Sequence, residues 1–324
     1  MSNPPSVSII YVPSDVGSII PGKSKAPAAF RSVNLVGKLQ DSGYSSISEY
    51  HALDSPATYS SSTFLPGGVR NEDLNIHVCE RVREKVSQSL STSSGHDGFP
   101  FHLVIGGECC MLPAILSALS YHTEAQSPPQ RVGLLYIDAD TDLASPSDPG
   151  SIGTFAGMNM THLVQNPGCL EPMKQFSRPD GSPVCNGENT VLFGTNMALQ
   201  GNTRDHFAWL FDNNYKVVSS ASVAKEPEQR AQEALRYLED RVDVILVHLD
   251  VDAIDPGLFP LANVPNFTGV TFEQMMRAMA VVFKSDKVKA LSIAEVNPDH
   301  DPRLEMVEKL TGKVVDMLAA RITR

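Results

Sequence analysis

Eight short apolar runs separated by helical patterns restrict what this 324-residue chain can fold into. The runs lie near 7–13, 46–51, 101–106, 131–138, 190–194, 215–219, 243–250 and 288–295. Helical spacing of apolar residues predicts helices over 26–42, 69–91, 110–122, 204–213, 224–240, 271–284 and 302–322. In the last of these, Leu304, Val307, Leu310, Val314 and Leu318 recur at three- or four-residue steps and share one face. Runs that are apolar throughout, rather than alternating, suit strands covered on both faces. Strand–helix alternation predicts parallel order. The chain is read as a single α/β domain over 1–324. The Ser-rich stretches 54–63 and 87–98 are expected to be surface loops, and 143–189 long loops around a short helix.

Composition excludes several classes. Hydrophobic residues make up 42% and charged residues 19%, which argues against wholesale disorder. No apolar stretch approaches the ~18 residues of a membrane span. The opening MSNPPSVSIIYVP has no basic segment before an apolar core and is not read as a signal peptide. A net charge of −11 disfavours nucleic acid as a partner. Five cysteines at irregular spacing make a poor disulfide framework and suit a reducing cytoplasm.

In parallel sheets, sites lie at the carboxyl ends of strands. One run ends in Asp138-Ala139-Asp140-Thr141-Asp142, another in Asp250-Val251-Asp252, and a third in Glu295-Val296-Asn297-Pro298. In extended chain, residues two apart share a face, so these carboxylates can converge. Gathered at the mouth of an apolar sheet, they would need protons or cations. Divalent metals answer that need; turns and helix caps are the plainer use of such aspartates. A fourth run ends in Gly106-Gly107-Glu108-Cys109-Cys110, where a helix start would lower a thiol pKa. Cys109 is a candidate ligand or nucleophile, with an inert buried thiol as the plainer reading, which suits Cys110 better.

His248 lies two residues before Asp250 on the same strand face, about 6.6 Å deeper at ~3.3 Å per residue. It could pair with an aspartate, support the cluster or supply a base, or it could be a satisfied core histidine. His102 reads as structural, His162 as a weak proton-shuttle candidate, His300 as surface or a helix cap, and Trp209 as core.

Together, GGEC at 106–109, DADTD at 138–142, DVDAIDP at 250–256 and EVNP at 295–298 resemble the ureohydrolase superfamily of arginases and agmatinases. SDVGSIIPGKSKAPAAFR at 14–31 is similar to that family's first loop and helix. The resemblance implies a three-layer αβα fold with an eight-stranded parallel sheet. It also implies two Mn²⁺ ions that activate a water against a guanidinium carbon. By position, the first metal would have Cys109, Asp138, Asp142 and Asp250, and the second Asp138, Asp140, Asp250 and Asp252. Glu295 matches the glutamate that grips the guanidinium. Trimers or hexamers are common in the family.

The departures matter as much. Cys109 and Asp140 replace two metal-ligand histidines, and Ala156 stands where the family has its shuttle histidine. General acid–base help of that kind is worth roughly 10²–10⁴-fold. Ala144 and Ile152 stand where arginases have polar residues that hold the substrate's α-amino and α-carboxyl groups. The replacements at the metal can still coordinate; thiolate favours Zn²⁺, and an all-oxygen site Mn²⁺ or Mg²⁺, as one ion or two. The expected function is a metal-dependent hydrolase of a C–N bond in a guanidino, amidine or amide substrate other than L-arginine. A variant of this expectation uses the metal as Lewis acid for other chemistry. Its partner would be a small molecule, in a homo-oligomer. The alternatives are a non-catalytic binding protein of the same fold and a Cys109-nucleophile enzyme.

Overall fold

The computed structural model describes residues 5–60, 68–93, 100–149 and 151–322. Within them one sheet contains β1 (Ser6–Tyr11), β2 (Ser46–His51), β3 (Phe101–Ile105), β4 (Val132–Ile137), β5 (Thr190–Thr195), β6 (Lys216–Ser219), β7 (Val244–Asp250) and β8 (Val288–Ala294). Its order is β2-β1-β3-β8-β7-β4-β5-β6, and every pairing is parallel. Each strand falls within two residues of an apolar run in the sequence.

Period-two side chains build a core on each face of the sheet. In β7, Ile245, Val247 and Leu249 pack toward the helices Pro227–Glu239, Phe272–Val282 and Glu305–Ile322. Val244 and Leu246 pack on the other side, with the helices Glu72–Ser93 and Leu112–Glu124. The result is a three-layer αβα arrangement. The edge strands β2 and β6 are only partly buried, each having a single neighbour.

Several expected helices are reshaped. The 26–42 pattern is two helices, Ala26–Ser32 and Leu35–Asp41, because Asn34 between them is left-handed at φ 59°. The 224–240 pattern is also divided, since Pro227 has no N–H to continue the preceding helix and begins the next. The final helix begins at Glu305; Asp301 caps it by accepting the backbone N–H groups of Glu305, Met306 and Val307. The loop expected at 87–98 is corrected, because the preceding helix runs on to Ser93. Ser89, Ser91 and Thr92 donate their hydroxyls to Val86, Ser87 and Gln88 carbonyls, so serine is accommodated within the helix. Residues 94–98, and 61–63 of the other Ser-rich stretch, lie outside the described residues. No described helix is long and apolar enough to cross a membrane.

The sheet order gathers the acidic strand ends. β3, β8, β7 and β4 are consecutive neighbours with β1 beside them, so the segments leaving their carboxyl ends meet at one edge.

Candidate active site

A cavity of about 260 Å³ opens where these segments meet, lined by Cys109, Asp138, Asp140, Asp142, Asp250, Asp252 and Glu295. Ile152 and Ala156 also line it. Ala144 does not; it is half-buried, and its backbone N–H donates to the Gly157 carbonyl at 3.0 Å. The expectation that Ala144 faces a substrate is therefore corrected.

The plain reading accounts for one oxygen of several of these aspartates. Asp138 Oδ1 accepts the Asp140 N–H at 2.7 Å, and Asp250 Oδ1 accepts the Asp252 N–H at 2.9 Å. Asp140 Oδ1 accepts the Thr141 N–H at 2.7 Å, and Asp252 Oδ1 the Ala139 N–H at 3.3 Å. The first three are local turn bonds, and the last ties the segment after β7 to the one after β4. Asp138 Oδ2, in contrast, is buried without a hydrogen-bond partner. Convergence does not arise from extended chain, since β4 ends at Ile137. The chain turns instead, and Asp142 and Glu295 sit at φ 48° and 63°, a costly conformation for non-glycine residues.

Burial, then the neighbouring aspartates, pushes Asp138, Asp142 and Asp250 well above the usual carboxylate range. Burial, then Asp140 and Glu295, pushes Asp252 up to about 7. None of the described ion pairs includes any of these aspartates. An orphaned carboxylate oxygen within so much buried negative charge fits a divalent cation, which these donors could hold.

Cys109 opens a three-residue 3-10 turn, Cys109–Met111, ahead of the helix Leu112–Glu124. Its thiol points at Asp142 Oδ2, 3.8 Å away, and at the Ala156 carbonyl, 3.6 Å away. The helix start, which would lower the thiol pKa, is outweighed: burial, then the surrounding carboxylates of Asp142, Glu295 and Asp250, pushes the thiol well up. Ligand atoms of Cys109, Asp250 and Glu295 all lie within 4.8 Å of one another. Cys110 turns away, its thiol against Asn75 Oδ1 at 3.4 Å.

His248 sits in register between Tyr136 and Ser292 on the same face of the sheet. Its ring stacks on Tyr136 with centroids 5.3 Å apart, and Nδ1 meets Ser292 Oγ at 2.8 Å. Nε2 is buried and unpartnered. Ligand atoms of His248, Asp138 and Asp250 lie within 4.8 Å of one another. Burial pulls the imidazole down to about 3, so it is neutral. His248 does not line the cavity, which removes the reading of a base acting directly on substrate. Tyr136, beside it, donates to Asp142 Oδ2 at 2.5 Å.

The other histidines are less engaged. His162 is buried, its ring tilted against Phe155 with centroids 4.7 Å apart, and it is absent from the cavity wall, so it is no displaced shuttle. His102 meets the Pro100 carbonyl at 3.0 Å, as a structural residue would. His300 is exposed, and the cap is Asp301. Trp209 packs against the core.

Sequence reasoning missed Lys23 and its partner Glu108. The Lys23 ammonium lies 2.8 Å from Glu108 Oε1 and 3.2 Å from Glu295 Oε2, and donates to Ser18 Oγ at 2.5 Å. Lys23 is fully buried yet reaches the cavity wall. Burial alone would pull its pKa down; Glu295 and Glu108 outweigh this and hold it charged. Its loop is pinned by Asp15, which accepts the backbone N–H groups of Gly22 and Ser24 at 3.0 and 2.8 Å. Gly22 has φ 121°, and a Cβ there would collide with the Asn297 side chain. Lys23 lies in the 14–31 stretch and Glu108 in the 106–109 motif, but a lysine following a glycine in a loop is common on surfaces, and neither residue was given a role.

The model of the arginase family matches residues 5–320. The chain belongs to the arginase family. An arginase of Staphylococcus aureus (strain MRSA252) is 27% identical over 312 residues, covering 93% of each chain. Among solved structures, arginase from Bacillus caldovelox superposes with a TM-score of 0.82 at 22% identity, covering 98% of both chains. A formiminoglutamase variant of Trypanosoma cruzi solved with Mn²⁺ gives 0.70 at 18% identity, covering 99% of this chain and 94% of that one. At these identities the structural likeness speaks to the fold. In this chain the strand ends bring a thiol and five aspartates to the cavity wall, with one imidazole beneath.

Proposed function

We propose that the protein is a metal-dependent hydrolase that cleaves a C–N bond of a guanidino, amidine or amide substrate other than L-arginine. The observation that carries this reading is the buried Asp138 Oδ2, unpartnered among aspartates whose protons are held by burial and mutual repulsion. Cys109, Asp138, Asp142 and Asp250 would hold one ion, and Asp138, Asp140, Asp250 and Asp252 a second. The thiolate suits Zn²⁺ and the all-oxygen set Mn²⁺. A divalent ion supplies a water that is nucleophilic near neutral pH.

The chain's own residues limit the rest. Tyr136 fixes Asp142, and Ser292 fixes the His248 ring, so His248 Nε2 is available toward Asp138 and Asp250 as a positioning group. Ala156 at the wall cannot move a proton, and Ile152 offers no hydrogen bond to an amino-acid head group. Both weigh against L-arginine. The raised thiol of Cys109 weighs against it as a metal-free nucleophile. Ala156 is also what a non-catalytic relative would display.

Metal analysis tests the proposal. Protein purified without added metal and then loaded with Mn²⁺ or Zn²⁺ should retain one or two equivalents after desalting. Retention below about 0.2 equivalents sinks it.

A further inference from the structure

We infer that the cavity selects an uncharged substrate with an apolar tail, because Lys23 already pairs with Glu295 at the cavity wall. This rests on the hydrolase reading for what happens to the substrate, but not for what binds.

Both oxygens of Glu295 are engaged within the protein. Oε1 accepts the Cys109 backbone N–H at 3.3 Å, and Oε2 faces Lys23 Nζ at 3.2 Å. Lys23 cannot readily withdraw. Its side chain is 1% exposed, and Glu108, on its other side, is 0% exposed. Glu108 is itself held by the Gly17 N–H. Moving the ammonium would strand the fully buried Glu108 without a counter-charge, a large loss. An incoming cation would also meet a fixed like charge at short range.

An anionic substrate fares no better. Lys23 is the only cationic residue on the described cavity wall, and two carboxylates surround it. The approach to the cavity is apolar. Ile19, Ile20, Ile152 and Val264 line it while remaining 44, 40, 55 and 55% exposed. Burying such side chains against a substrate's hydrocarbon gains about 25 cal/mol per Å² of surface removed from water. The chemical class that fits is an amide or urea-type carbonyl on a nonpolar chain.

Two nearly isosteric probes differing in charge decide the matter: n-butylurea and n-butylguanidinium, each titrated calorimetrically into the full-length protein. The wild type should bind n-butylurea at least tenfold more tightly. Lys23→Met should reverse that preference by freeing Glu295. Lys23→Met combined with Glu108→Gln keeps the buried charge in balance and serves if the single variant does not fold. The inference is overturned if the wild type fails to bind n-butylurea or prefers n-butylguanidinium, or if a folded Lys23 variant keeps the wild-type preference. Metal content measured on the same samples separates the two readings. A metal-free protein that still prefers the urea sinks only the hydrolase, and a loaded protein without the preference sinks only this inference.

Discussion

Lys23 Nζ lies 3.2 Å from Glu295 Oε2, so the glutamate that by resemblance should grip a substrate's guanidinium is already paired with a lysine of its own chain. The five aspartates of the cavity receive none of that compensation. The site thus divides into a neutralised side at Lys23, Glu108 and Glu295 and an uncompensated side at the aspartates. Among the described residues, only the second side has no ion pair with a cation of the chain itself.

Lys23 should matter to stability as well as to binding. Removing one partner of a buried ion pair costs about 3–5 kcal/mol, because it leaves uncompensated charge. Urea denaturation of Lys23→Met should show a loss of that order, and adding Glu108→Gln should recover part of it. A single variant as stable as wild type would mean that the carboxylates are not buried against Lys23.

Cys109 and Cys110 make an internal control. Cys109→Ser should weaken or abolish metal retention, whereas Cys110→Ser should leave it unchanged, since only Cys109 lines the cavity. Equal affinity in wild type and Cys109→Ser, by competition with a chelating dye, would remove Cys109 from the ligand set.

The metal-stripped protein should lose stability as pH rises. Asp252 moves from an ordinary 3.8 up to about 7 on folding. Between about pH 4 and 7 the folded chain therefore holds a proton that the unfolded chain has released, and stability falls with pH across that window. Asp138, Asp142 and Asp250 act in the same direction. Tm after chelation should be lower at pH 8 than at pH 5, Asp252→Asn should flatten the trend, and added Mn²⁺ or Zn²⁺ should reverse it. A chelated protein whose stability rises across the window would contradict the burial of these groups.

With L-arginine, urea release should stay at least 10²-fold below a typical enzyme turnover of ~10 s⁻¹, for want of a shuttle at Ala156. Colorimetric urea assay of the metal-loaded protein checks this; turnover near the typical rate would show that the shuttle is dispensable here.

His248 lies beneath the cavity, with ligand atoms within 4.8 Å of those of Asp138 and Asp250. His248→Gln should weaken metal retention by about 10–100-fold, the usual effect of losing a group that orients ligands. An unchanged affinity would leave the histidine as a core residue bonded to Ser292.

Much of the architecture was legible because it rests on local signals. Eight apolar runs and their intervening helical faces are read directly from side-chain period, and the strand ends located Asp138, Asp250, Glu295 and Cys109 at one edge. Where local signals conflict, the sequence misled: serines at 87–93 read as loop, yet their hydroxyls turn back onto helix carbonyls. Distances across the sheet were beyond local reading. Lys23 and Glu295 are far apart in the chain, and only the placement of β1 and β8 on either side of β3 brings their segments together. The thiol of Cys109 obeys the same logic, since a pKa expected to fall at a helix start rises because burial and three carboxylates from other strands surround it. The sequence by itself determined the fold class and the acidic strand ends, because these depend on residue periodicity. The tertiary structure alone decided which charges are paired, because electrostatic energy in a buried site depends on distances that no local pattern encodes.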